Sequence, residues 1–473
     1  MKICYTRLTQ TIDLNPENII QGMADERFEI FKRLIKRGHR IKIIVDLNNP
    51  TEKILEKVKN GEVKKVNGMD VTWLKSIEYD PLGMPSDEDV LMVEHGAVNL
   101  MFDSKHGEFL QLFKACEQIR NFDGLVLLLN ADPDLPFPIH KFAGCKYDWN
   151  HKANPYRIET ENNTWGNGKY NFKNYEGLEE YGWGNWTDLF TKDKTIVIVS
   201  KSIDYDKIME NKYGGKRGRH YIYHKKGLLN FESIPSAYDV EKINEFKFNK
   251  NPKYDVLYQG YPRNRERKYY ELFSDMPRKL KFATTGNWTK TRKKRGLTNT
   301  NIRFLGKLKG LNIIPRICNN SRCVLQLAVK KSKKFDFVTN RQFEAVFSKT
   351  ICLYDAEYGV MEKYLGKGMS LKNHEDAIQK YVAIRKMSAK QRFLIWNYQF
   401  QLCKNNNFDF YTTELEKICQ KYGVNVKPKP YKEKKIVITA KMQKAVKNFV
   451  KKASRVDVGK YKTAKQIEGC ERV

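Results

Sequence analysis

Short apolar runs and amphipathic stretches alternate along the first 130 residues. Lys2–Thr6 reads as an opening strand, followed by a polar loop through Asn15 and Pro16. Between Asp25 and Lys36, the residues Phe28, Phe31, Leu34 and Ile35 recur at helical spacing. Glu29, Lys32 and Arg33 lie off that face, and Gly38 stops the run. Ile41–Asp46 is a strand of the buried kind, and Val71–Leu74 and Val90–Glu94 are shorter ones. A helix over about Gly107–Arg120 leads into Gly124–Leu129, whose sequence GLVLLL predicts a central parallel strand. Strand and helix in alternation predict a doubly wound α/β sheet.

From Pro138 to about Leu228 the pattern changes to a stretch dense in Trp, Tyr, Asn and Gly, interrupted by one strand at Thr195–Ser200 and by the basic run GGKRGRH. This segment reads as an insertion on the first domain. Alternation resumes with strand Tyr254–Gln259, a helix through Lys268–Phe273, and strands Leu280–Thr284 and Ile302–Leu305. Helix Ile313–Asn319, strand Cys323–Val329, helix Arg341–Phe347 and strand Thr350–Tyr354 then make a second Rossmann-like unit. Helices between Glu375 and Tyr422 close it and return toward the first domain. After the proline-broken KPKPYKEKK, residues Lys441–Lys452 place Met442, Val446, Phe449 and Val450 on one helical face with lysines elsewhere. Three partners fit such a helix: its own domain, a membrane surface or phosphates. The expected division is 1–240, with the insertion at about 138–228, then 241–424, then a basic extension over 425–473.

The apolar runs are too short to span a bilayer, and the N-terminus lacks the pattern of a secretory signal, so a soluble protein is expected. The nine cysteines form no CxxC pair, and Cys318 and Cys323 have no second pair nearby to complete a zinc site. Lys and Arg outnumber Asp and Glu by 87 to 55, for a net charge of +32. A field of that sign gathers polyanions.

Three polar clusters follow strands, where α/β sheets bind ligands. In NADPDLPF (Asn130–Phe137), Asp132 can serve as a general base, or Asp132 and Asp134 can simply form Asx turns around the prolines. In QGYPRNRER (Gln259–Arg267), Gly260 lets backbone approach a ligand. Arg263 and Arg267, four apart, can face one diphosphate or can belong to a solvated basic helix start. The segment has neither GxGxxG nor GxxxxGK[ST]. Arg341 and Glu344, three apart, share a helix side. They suit a phosphate and ribose hydroxyls, or a surface ion pair.

These clusters, in this order, resemble the DNA β-glucosyltransferases of T-even bacteriophages. The similarity covers Val93–Phe137, Phe231–Tyr238 and Tyr254–Tyr354, with an N-terminal match at Met1–Leu47. It implies the GT-B fold, with two Rossmann-like domains facing across a cleft. It also implies inverting transfer from a UDP-sugar to the hydroxymethyl group of a modified base, 5-hydroxymethylcytosine, in double-stranded DNA. Asp132 is then the base, and Gly260, Arg263, Arg267 and Arg341 hold the diphosphate. Glu344 holds the ribose, and the backbone of Lys307 and Leu308 in GKL reads uracil. Glu232 in FESIP resembles an acidic segment near the cleft. Lys330 stands where the family has an acidic residue associated with a divalent metal. A protonated lysine cannot ligate a cation but can neutralise a diphosphate, so metal dependence stays open, as does the donor sugar.

The expected partners are a UDP-sugar and DNA, the latter met by Lys216, Arg217 and Arg219 and by Lys441, Lys444, Lys451 and Lys452. A monomer in the cytoplasm of an infected bacterium, without stable membrane association, is expected. The alternative readings are a transferase acting on a lipid, glycan or protein, and a DNA-binding protein on a degenerate transferase scaffold. The joint presence of Asp132, Arg263, Arg267 and Glu344 speaks against the last.

Overall fold

The computed structural model describes residues 1–7, 14–17, 23–44, 50–66, 69–80, 83–95, 118–119, 121–130, 194–201, 227, 230–260, 265–274, 276–277, 279–286, 302–306, 308, 313–329, 332–333 and 336–461. They form two compact units. One comprises residues 1–16, 27–235 and 412–430, the other residues 17–26, 236–411 and 431–473. Among the described residues no helix is long and apolar enough to cross a membrane.

The first unit is built on seven parallel strands: β1 (Lys2–Arg7), β2 (Arg40–Ile43), β3 (Ile77–Tyr79), β4 (Val90–His95), β5 (Leu125–Asn130), β6 (Thr195–Ser200) and β7 (Asn230–Ser233). Their order across the sheet is β3-β2-β1-β4-β5-β6-β7. Val90–Val93, Val126–Leu128 and Ile196–Val199 are all buried, as a sheet covered on both faces requires. Helix α1 (Met23–Lys36) buries Phe28, Phe31 and Leu34. It ends at Gly38, whose φ of +91° is left-handed, with His39 N–H donating back to the Leu34 carbonyl at 3.0 Å. Glu29 and Arg33, expected off the buried face, are buried too, and their 2.5 Å ion pair one helical turn apart makes that tolerable.

Thr72–Ser76, which overlaps the expected strand Val71–Leu74, is instead a 3₁₀ helix. Asp70 Oδ1 accepts from both the amide and the hydroxyl of Thr72, which starts a turn, and Trp73 and Leu74 are buried from it. A second helix, α2 (Pro50–Lys59), begins at a proline, a residue suited to a first helical position. Residues 412–430 are held in this unit by Glu416, which is buried. It accepts from Arg37 Nη1 at 2.8 Å and from the Lys429 amide at 2.9 Å, and lies 2.7 Å from His39 Nε2.

The second unit has six parallel strands: β8 (Tyr254–Gln259), β9 (Phe282–Thr285), β10 (Ile302–Phe304), β11 (Ser321–Gln326), β12 (Ile351–Asp355) and β13 (Ser370–Leu371), in the order β10-β9-β8-β11-β12-β13. Both sheets therefore run third, second, first, fourth, fifth, sixth, the doubly wound order of dinucleotide-binding folds. Helix α3 (Glu266–Tyr269) continues as a π turn over Tyr270–Ser274. Tyr258, Tyr269, Phe273 and Phe282 pack there, each ring about 5 Å from the next. Helices α4 (Ile313–Asn319) and α5 (Arg341–Phe347) flank β11.

Helices α6 (His374–Arg385), α7 (Ala389–Cys403) and α8 (Phe408–Lys421) follow. Asn373 caps α6 through the Asp376 amide, and Ser388 with Gln391 forms a capping box on α7. The short β13 pairs only with Tyr354 and Asp355. Cys352 is served instead by the buried Gln399 of α7, which accepts from its amide at 2.9 Å and donates to its carbonyl at 2.7 Å. The six described cysteines are all buried and unbridged.

Candidate functional site

The order of the second sheet reverses between β8 and β11, and ligands of open α/β sheets bind in the crevice beyond the strand ends there. β8 ends on Gly260, whose φ is +108°, a conformation a side chain resists. Its amide faces the Thr285 carbonyl and hydroxyl, each at 3.3 Å. A Cβ at Gly260 would stand 2.9 Å from Nη2 and 3.2 Å from Cζ of Arg341. The strand end thus lies directly against a guanidinium, and glycine is what leaves room for it. Arg341 opens α5, and Glu344, one turn on, is 1% exposed.

The loop entering α5 is pinned by side chains that sequence reading did not single out. Gln326, the last residue of β11, donates to Thr339 Oγ1 at 3.0 Å, and Thr339 donates to Gln342 Oε1 at 3.3 Å. Loops after β9 and β10 are joined by the Gly286 amide donating to the Gly306 carbonyl at 2.8 Å, and Leu308 packs on the core close by.

Arg267 is largely exposed and reaches Glu357 at 3.5 Å. Glu357 and Asp355 lie at and just beyond the end of β12, and two ammonium groups hold them. Lys333 binds Asp355 at 3.0 Å and also Glu357, while Lys268 binds Glu357 at 3.1 Å. The Lys333 hydrogen bond, against desolvation and helped by Lys268, holds the Glu357 carboxyl at about 2. Among the described residues, no three His, Cys, Asp or Glu side chains group as a metal would need. With Asp355 and Glu357 neutralised by lysines, the described donors do not fit a divalent cation.

In the first sheet the reversal falls between β1 and β4. There Glu94, 4% exposed, accepts from the Tyr5 hydroxyl and pairs with Arg27 of α1. Glu232, a candidate cleft acid, accepts from Lys421 Nζ at 2.5 Å and from the Tyr422 hydroxyl at 2.9 Å, so it anchors the returning 412–430 segment. Burial, and then the hydrogen bond to Glu232, push the Tyr422 phenol up.

Of the residues expected from sequence, Asp132, Lys216, Arg217, Arg219, Arg263, Lys307 and Lys330 lie outside the described residues. Asp132 stands two positions after Asn130, which ends β5. Gly260 and Arg341 are brought into contact, whereas Arg267 is engaged with Glu357. Lys268, Lys333, Asp355, Glu357, Gln326 and Thr339 went unassigned in the sequence. A carboxylate ending the apolar run ICLYD was the one visible signal among them.

No family model matches the chain, and no curated protein matches it in sequence. Its structure is similar to that of T4 phage β-glucosyltransferase bound to its UDP-glucose substrate, with TM-score 0.54 and 17% identity, over 88% of this chain and 99% of the other. A second structure of the DNA-modifying enzyme β-glucosyltransferase gives TM-score 0.52 and 18% identity, over 89% and 99%. An α-glucosyltransferase in complex with UDP and a 13-mer DNA containing a HMU base gives TM-score 0.52 and 11% identity, again over 89% and 99%. The chain shares the GT-B fold of these glucosyltransferases.

Proposed function

We propose that this protein is a UDP-sugar-dependent glycosyltransferase acting on DNA, with the hydroxymethyl group of a modified base as acceptor and inversion at the anomeric carbon. The observation that carries the reading is the seat at the second sheet's reversal. There a glycine in a left-handed conformation opens the strand end to the Arg341 guanidinium, one turn before the buried Glu344. A guanidinium fork suits a diphosphate, and a carboxylate one turn behind it suits ribose hydroxyls. The neighbours bound to UDP-glucose, and to UDP with DNA, support the same donor and acceptor classes.

In this mechanism Asp132 takes the proton of the hydroxymethyl group, and that oxygen attacks the anomeric carbon. The bond from that carbon to the diphosphate oxygen breaks, and UDP departs with the electron pair. Arg341, Arg263 and Arg267 meet the charge that grows on the diphosphate, and Lys330 adds a further cation. Arg267 leaves its exposed, screened contact with Glu357 at little cost. Lys307 and Leu308 present backbone to uracil.

The test is mass spectrometry of nucleosides from 5-hydroxymethylcytosine duplex DNA incubated with the protein and a panel of UDP-sugars. A nucleoside heavier by one sugar residue is the expected result. No heavier nucleoside, with UDP failing to raise the melting temperature, would overturn the reading.

A further inference from the structure

A further helix, α9 (Ala440–Ala453), closes the second unit. Thr439 caps it by accepting from the Met442 amide at 3.3 Å. The chain leading to it is fixed as well. Asn405 accepts from the Lys434 amide at 2.9 Å, Gln401 accepts from the Val437 amide at 3.1 Å, and Lys404 donates to the Lys435 carbonyl at 2.5 Å.

Two faces of α9 have different fates. Most of the apolar face is taken up within the unit: Met442, Phe449 and Ala453 are buried in packing against α6 and α7. Val446 and Val450 press so closely on Gly368 that a Cβ there would stand 3.2 Å and 2.9 Å from their methyl groups. An amphipathic helix binds a bilayer through its apolar face, and here most of that face is covered, Val450 alone among its large apolar residues being exposed, at 40%.

The opposite face carries Lys441, Lys444, Lys447, Lys451 and Lys452, all exposed, within about 140° of arc and about 16 Å of length. No acidic residue occurs from Lys434 to Val456. Helix starts favour acids, yet the early turns of α9 hold Lys441 and Lys444 and none, so the charge there does not serve the helix's own stability, whereas Lys451 and Lys452 suit its last turn. Beyond its end, a cavity of about 390 Å³ is lined by Lys386, Lys452, Arg455 and Lys460, with Asp457 its one acid and the Tyr461 ring at its wall.

We propose that α9 and this cavity form a docking surface for the phosphate backbone of duplex DNA. A broad cationic face suits a duplex, which presents a phosphate charge about every 1.7 Å of its axis. The inference deepens the proposed acceptor by placing a backbone-contacting surface on the second unit, and it needs no sugar transfer to be tested.

The experiment measures binding of the full chain to an unmodified duplex by fluorescence anisotropy across salt concentrations. The wild type is compared with a triple variant, Lys441→Gln, Lys444→Gln and Lys451→Gln, and with the matching triple Lys→Arg variant. The glutamine variant is expected to bind at least tenfold more weakly, and its log–log salt slope to fall by roughly 2 to 3. The arginine variant should bind as the wild type does. An unchanged affinity and slope in a glutamine variant that melts normally would overturn the proposal. So would loss of binding to phosphatidylserine vesicles with DNA binding intact, which would assign the surface to a membrane. Failure of transfer to hydroxymethylated DNA, with this salt dependence present, would count against the acceptor chemistry and leave the docking surface standing.

Discussion

At the reversal of the first sheet, the buried Glu94 near the end of β4 is held by the Tyr5 hydroxyl and Arg27. At the matching reversal of the second, β8 ends on a glycine whose open side faces the Arg341 guanidinium. The strand order is the same, so each sheet offers a crevice in the same place. What separates them is the chemistry at the strand ends. A carboxylate that meets its cation inside the protein is used up in holding the fold. A cation beside a bare backbone has its charge available to a ligand.

Removing the carboxylate from the first sheet should give the largest effect on stability. Glu94→Ala leaves Arg27 buried without that partner and is expected to cost about 3–5 kcal/mol in urea denaturation. A near-neutral result would mean that the buried pair does not hold this strand end. Asp132→Asn is expected to slow transfer by about 10²–10⁴-fold while calorimetry shows UDP binding unchanged. Transfer at the wild-type rate would remove Asp132 from the role of base.

Gly260→Ala sharpens the contrast from the other side. The left-handed φ costs about 1–3 kcal/mol for a non-glycine residue, and the new Cβ displaces Arg341. UDP affinity should fall by about tenfold or more, the worth of one charge-assisted hydrogen bond. UDP binding as in the wild type would show that this seat is not where the diphosphate lies.

The smallest effect concerns Glu357. Its folded-state carboxyl, at about 2, lies below its ordinary value near 4.5, chiefly through the Lys333 hydrogen bond. The stability it contributes is therefore present above about 4.5 and lost as pH falls toward 2. Melting curves of Lys333→Gln should lie below those of the wild type at pH 7 and converge with them near pH 2. Parallel curves would mean that the pair contributes nothing measurable.

Several elements were legible from local pattern. Strands Tyr254–Gln259 and Thr195–Ser200 and helices Ile313–Asn319 and Arg341–Phe347 occur at the expected limits. Each is a run whose apolar spacing matches a single period, bounded by turn residues. Val71–Leu74 differs because a run as short as VTWL has the same pattern in a strand and in a 3₁₀ turn. The Asp70 contacts to Thr72 decided between them.

Spacing along the chain determined which residues share a helix side, which strands are buried, and that Gly260 and Arg341 each lie at the edge of a Rossmann-like unit. Those are local properties, set by backbone periodicity and by the freedom of glycine. Tertiary structure alone decided that Gly260 and Arg341, 81 positions apart, touch. It also set Lys333 and Lys268 against Asp355 and Glu357, and gave Glu232 to Lys421 and Tyr422. Charge pairing depends on distances of a few ångströms between distant segments, and only the strand order of the sheets fixes those.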